Sequence, residues 1–269
     1  MADDHVYPDF ELRNLTLLGE TRPVFVKGEG PAVVVMHEAP GLYPGVAEFG
    51  RRVVEQGFRV YMPSLVGTPG RPMGVGYALS TLARACVMRE FTVFATRQNS
   101  PVTAWLRELA KLAHEECGGP GVGAVGMCLT GGFALAMMAD ERMLAPVLSQ
   151  PSLPFALLPS QQRDLGIDDE TLARVKERVK ERAADGACLL GLRFTHDRLA
   201  PGERFQRLRD ELGDAFMAVE IDSGPRNPHG LSRTAHSVLV YDLVDEPGHP
   251  TRQALDQVLA FFRERLGVA

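Results

Sequence analysis

The chain has 269 residues, of which 45% are hydrophobic, 23% charged and 7% aromatic. That is enough apolar material for a core, and it excludes disordered, collagen-like and small disulfide-stapled chains. The formal net charge of −5 leaves no basic surplus to track a phosphate backbone, so nucleic acid is not an expected partner.

No run of about 18 apolar residues is present, so no membrane span is expected. The first residues, MADDHVYPDF, carry acids where a secretory leader needs a basic start and an apolar middle, and a cytoplasmic location is expected. The four cysteines, Cys86, Cys117, Cys128 and Cys188, form no C-x-x-C pair, so neither a zinc site nor a dithiol redox motif is expected.

In chain order, apolar runs predict strands over 22–27, 32–37, 58–64, 121–127, 145–150, 187–195 and 215–222. Between them, helical patterns cover 45–57, 78–95, 101–116, 131–141, 168–184, 201–212 and 250–266. The most charged of these, 168–184, opens on Asp168 and Asp169 and ends among Lys and Arg, as the helix dipole favours. Strands alternating with helices predict an α/β protein with a mostly parallel sheet covered on both faces, here read as one domain over residues 1–269. In such sheets ligands bind beyond the carboxyl ends of the strands.

One strand end stands out. In GVGAVGMCLTGGFALAMMAD a strand closes at Met127 and an apolar helix opens after Cys128-Leu129-Thr130-Gly131-Gly132. This is the context of a nucleophile elbow, in which small residues let strand and helix approach closely. Thr130 stands where a second glycine is usual, two residues after the nucleophile position. A helix N-terminus stabilises an anion, so a thiol placed there is a candidate nucleophile, and the Leu129 N–H is a candidate oxyanion donor. The plain alternative is a buried cysteine in a glycine-rich turn; no Lys follows the glycines, which argues against a phosphate loop.

A nucleophile on this architecture needs an acid and a histidine, in that chain order. Asp197, in FTHDRLAP, follows the strand 187–195, although a turn or capping role is also open to it. Two histidines, His229 and His236, follow the strand 215–222. His236 is favoured because the apolar SVLV beside it can pack and fix the ring, whereas His229 lies in an NPHG turn. His249 reads as part of the start of the last helix. After the early strand comes His37-Glu38-Ala39-Pro40-Gly41. It is not a zinc-binding H-E-x-x-H, because Gly41 occupies the place of the second histidine. This loop is placed to supply a second oxyanion N–H, from Ala39. Glu38 is expected close to Cys128, where a carboxylate keeps a thiol protonated.

Together VVVMHEAPGL, GMCLTGG, FTHDRLAP, AHSVL and the closing LAFFRERL resemble the dienelactone hydrolase family of α/β-hydrolases, over residues 32 to 266. The resemblance implies an α/β-hydrolase fold and a cofactor-free cysteine hydrolase that opens a lactone or small ester through a thioester. Cys128 would attack, His236 relay the proton and Asp197 orient it, while Glu38 holds the resting thiol until substrate displaces it. The family holds a substrate carboxylate with arginines, for which Arg84, Arg89 and Arg233 are the candidates. The chain departs from the family at Thr130, in the insertion PRNPHGLSR, and in having no Arg soon after His236. From the last departure, neutral lactones and esters are expected to be better substrates than anionic ones. Two other readings compete: a non-catalytic binding module on the same fold, and a Cys-elbow amidotransferase, whose late H-P-E is here His249-Pro250-Thr251.

Overall fold

The computed structural model describes residues 6–74, 76–78, 80–81, 100–153, 159–182, 184, 186 and 188–268. Its elements run β1 (Glu11–Leu17), β2 (Glu20–Lys27), β3 (Ala32–Met36), α1 (Pro44–Glu55), β4 (Arg59–Pro63), α2 (Pro101–Cys117), β5 (Val122–Met127) and α3 (Gly131–Met137). They continue with β6 (Met143–Ser149), a short α4 (Pro159–Gln162), α5 (Asp169–Glu181), β7 (Leu189–Phe194), α6 (Gly202–Leu212), β8 (Phe216–Ile221) and α7 (Pro250–Leu266).

The strands form one sheet in the order β1-β2-β4-β3-β5-β6-β7-β8. From β4 to β8 every pairing is parallel, while β1 and β2 join antiparallel at one side. The central strands are buried throughout, and alternate residues feed opposite faces of the sheet. Val34, Ala124 and Leu148 pack on one side with Trp105 of α2, Phe133 of α3 and Phe205 of α6. Val33, Val35, Val125 and Val147 pack on the other with Phe49 of α1 and Phe262 of α7.

The predicted elements correspond to these to within a few residues at each end. The principal omission is β1. Its sequence, ELRNLTL, is an edge strand of only partly buried side chains, so it carries no clean apolar run. The helix predicted over 78–95 lies almost entirely outside the described residues, as do Arg84, Arg89 and Cys86. At α5 the N-cap is Asp168, whose carboxylate accepts the Thr171 N–H at 2.6 Å. No described helix is long and apolar enough to cross a membrane.

Candidate active site

The sequence-derived candidates collect at the carboxyl ends of the parallel strands: Glu38 after β3, Cys128 after β5, Asp197 after β7 and His236 in the connection that follows β8. A residue that sequence reading passed over, Gln150, stands in the same row after β6.

Cys128 adopts φ +56°, a left-handed backbone rarely taken by a non-glycine residue. That turn stands the side chain off the end of β5 and is the strained strand-to-helix corner of an elbow. The corner is tight. A Cβ on Gly126 would lie 2.2 Å from the Thr130 carbonyl oxygen, and one on Gly131 would lie 2.8 Å from Pro151 Cα. Thr130 fits because its hydroxyl has work to do. Its Oγ1 accepts the Met127 N–H at 2.8 Å and lies 2.9–3.2 Å from the carbonyls of Met127, Met36 and His37. The elbow is thereby pinned to the end of β3. Cys128 itself is 7% exposed.

Asp197 is buried. Its Oδ1 accepts the Leu199 N–H at 2.9 Å, a local Asx turn, and its Oδ2 lies 2.7 Å from His236 Nδ1. Asp197 therefore makes a turn contact with one oxygen and a histidine contact with the other. The other ring nitrogen, His236 Nε2, is buried and has no hydrogen-bond partner. Burial pulls the imidazole pKa down. The electrostatic interaction with Cys128 and the hydrogen bond that the ring donates to Asp197 outweigh it, so His236 is held well above its usual value. Cys128 thus lies within electrostatic reach of the ring without an aligned hydrogen bond to it.

His229 is not brought to this group. Its ring packs edge-on against His249 with centroids 5.4 Å apart. The insertion around it is folded on Asn227, whose amide bonds the backbone of Gly224, His229 and Leu231. His249 caps α7, its Nδ1 accepting the Thr251 N–H.

Glu38 differs from expectation. Its carboxyl does not hydrogen-bond Cys128. Oε1 accepts from the hydroxyls of Tyr43 and Ser237, the latter at 2.6 Å, and Oε2 accepts from Gln150 Nε2 at 2.8 Å. Three nearby neutral donors thus replace the single thiol that sequence reading supplied. Burial raises the Glu38 pKa, while these donors and the charge of His236 lower it in part. His37 is also buried, and burial lowers its pKa to about 4. The neutral ring bridges two loops, its Nδ1 donating to the Glu38 carbonyl at 2.9 Å and its Nε2 accepting the Leu65 N–H at 2.9 Å. The loop that carries Ala39 is fixed in this way. Among the described residues no backbone acceptor is found for the Ala39 N–H. Leu129 lies in the first turn after β5, where N–H groups have no partner within the helix.

Beside His236 opens a cavity of about 640 Å³, lined by His196, Asp197, Arg198, Arg233 and Thr234 among others. Arg233 therefore stands in the wall next to the imidazole. Ser237, Tyr43 and Gln150 were missed because each acts through Glu38 from a different strand end, and spacing along the chain does not reveal that meeting. The available signals were adjacency to His236, to the HEAPGL loop and to the end of the strand 145–150.

A mostly parallel sheet flanked by helices, with a left-handed turn at the end of β5, is the architecture of the α/β-hydrolase class. Within that class, the family model "Dienelactone hydrolase family" matches residues 21–266, and the chain belongs to that family. Among solved structures it is similar to a candidate dienelactone hydrolase from Klebsiella pneumoniae subsp. pneumoniae. That match has 17% identity and a TM-score of 0.62, covering 94% of this chain and 97% of that one. It is also similar to a cold-adapted esterase from an Arctic intertidal metagenomic library (14% identity, TM-score 0.56, 95% and 92% covered). A third similar structure is a dienelactone hydrolase-like promiscuous phosphotriesterase from metagenomic libraries (16% identity, TM-score 0.57, 96% and 100% covered). At these identities the structural likeness establishes the fold. No curated protein matches the chain.

Proposed function

We propose that the protein is a cysteine hydrolase of lactones or small carboxylic esters, working through a thioester. Cys128 Sγ gives its proton to His236 Nε2 and attacks the carbonyl carbon. The oxyanion so formed faces the N–H groups of Ala39 and Leu129. Collapse expels the alcohol oxygen, which takes the proton from His236 and leaves the acyl group on sulfur. His236 then removes a proton from water as it attacks the thioester, and the acid and the thiol are released. Asp197 holds the imidazole by Nδ1 throughout and stabilises its charged form. Glu38 braces the Ala39 loop against the segment that carries His236. No metal or cofactor takes part.

The observation that carries this reading is the 2.7 Å contact between Asp197 and His236 Nδ1, on a ring whose charge is coupled to Cys128 at a left-handed elbow. Cys128→Ala, assayed on activated aryl esters and lactones, is expected to lose at least about 10³-fold in kcat/KM while unfolding as the parent does. Full activity in that variant would end the proposal. The assay is best run on matched anionic and neutral esters. Arg198 and Arg233 in the cavity wall have no acidic partner among the described residues, so the anionic member of a pair is expected to be favoured, the reverse of the sequence-based expectation.

A further inference from the structure

The loop Thr195–Pro201 carries Asp197 from the end of β7 to the start of α6, and two buried guanidiniums hold its backbone. Arg193, the penultimate residue of β7, has its side chain 6% exposed. Its Nε donates to the Ala200 carbonyl at 2.7 Å and its Nη2 to the Thr195 carbonyl at 3.0 Å. Its Nη1 donates to Glu220 Oε1 at 2.7 Å, on the residue paired with it across β8. The guanidinium lies 5.7 Å from the Phe205 ring centroid, over the face of the ring. Arg204 of α6 adds a third grip: its Nη1 donates to the Leu199 carbonyl at 3.3 Å and to the Pro151 carbonyl at 2.6 Å.

One planar fork therefore holds both ends of the segment whose middle is Asp197. A lysine cannot do this, because its point charge cannot serve two divergent carbonyls and a carboxylate from fixed directions. Burying such a charge is also a poor route to stability: replacing buried ion pairs with apolar side chains of similar volume is often neutral or stabilising. An arginine in an otherwise apolar strand, spending two of its three contacts on one loop, is better explained by the geometry of that loop.

We propose that Arg193 is a positioning residue that fixes the Asp197 loop and so holds the Asp197 carboxylate against His236 Nδ1. The proposal rests on the hydrolase reading for the use of that contact, but not for its existence. Three other groups act on His236, and His196, Arg198 and Arg233 line the cavity beside it. Cys128 and Glu38 act on the ring electrostatically, and the Asp242 carboxylate accepts the His236 backbone N–H at 2.9 Å. Arg193 hydrogen-bonds none of them, and Asp197 is the one anion on the loop it holds, so a fall in the ring's titration on altering Arg193 reports Asp197.

The test uses Arg193→Lys and Arg193→Met in the full chain. The His236 imidazole is titrated by NMR with isotope-labelled histidine, alongside kcat and KM on an activated ester. Both variants are expected to titrate at lower pH than the parent, because the anion that favours imidazolium is no longer held at Nδ1. The kcat is expected to fall about 10-fold or more, with KM within about twofold. Arg193→Lys keeps the charge and most of the stem, so it decides the matter if the methionine variant does not fold. A His236 titration and a kcat equal to the parent's in Arg193→Lys would overturn the proposal. If the parent itself hydrolyses no ester, the hydrolase reading fails, and the titration alone still decides the role of Arg193.

Discussion

At Glu38 a buried carboxyl joins three strand ends that lie far apart in the chain. Tyr43 lies five residues on, Gln150 follows β6 and Ser237 adjoins the histidine. Burial and the neighbouring Glu38 charge raise the Tyr43 hydroxyl, which keeps it a proton donor in this contact. Tyr43→Phe keeps the ring and removes only that donor, leaving a buried oxygen one partner short. Such a loss costs about 1–3 kcal/mol, so a lower urea midpoint with an unchanged slope is expected. An unchanged midpoint would mean that the hydroxyl is not part of the group. The glutamate itself was legible in the sequence as a residue of the loop after β3. Its partners were not, because two of the three arrive from other strand ends.

Among the elements, the turn between β5 and α3 carries Thr130 where the resemblance of the sequence led to the expectation of a glycine. A glycine at position 130 would leave the Met127 N–H and the carbonyls at the end of β3 without the hydroxyl that now links them. Thr130 is thus a cross-strand fastener. Thr130→Ala is expected to lower stability by about 1–3 kcal/mol in chemical denaturation, and Thr130→Ser, which keeps the hydroxyl, by clearly less. Equal losses in the two variants would assign the effect to the methyl group. The elbow as an element was readable from small residues flanking a cysteine between a buried strand and an apolar helix. That reading works because close approach of two backbones restricts which side chains fit.

Over the whole molecule, the antiparallel β1–β2 side is tied to the parallel core through Glu116 at the end of α2. Its carboxylate takes both terminal nitrogens of Arg13 at 2.7 Å and the Tyr61 hydroxyl at 2.8 Å. The hydrogen bond from Arg13 is the main reason that its pKa falls to about 2. A carboxyl depressed on folding contributes stability above its unfolded value, near 4.5, and loses that contribution as pH falls towards 2. Glu116→Gln is therefore expected to be less stable than the parent at pH 7, and the gap should narrow steadily between about pH 4.5 and pH 2. Denaturant melts at several pH values would show it, and a gap independent of pH would exclude the ionic contribution. Both groups are partly exposed, so salt should weaken the effect.

The sequence by itself determined the alternation of strands and helices, and with it the parallel sheet, because runs buried on both faces must be apolar throughout. It also determined which loops carry Cys128, Asp197 and His236, because side chains at the carboxyl ends of parallel strands share one rim. Only the tertiary structure decided what each side chain touches there. It set Glu38 among Tyr43, Ser237 and Gln150, placed His236 rather than His229 against Asp197, and put Arg193 beneath the acid loop. Those are contacts between residues up to 199 positions apart. Their formation depends on how strands are ordered across the sheet, an order that local patterns along a single chain do not encode.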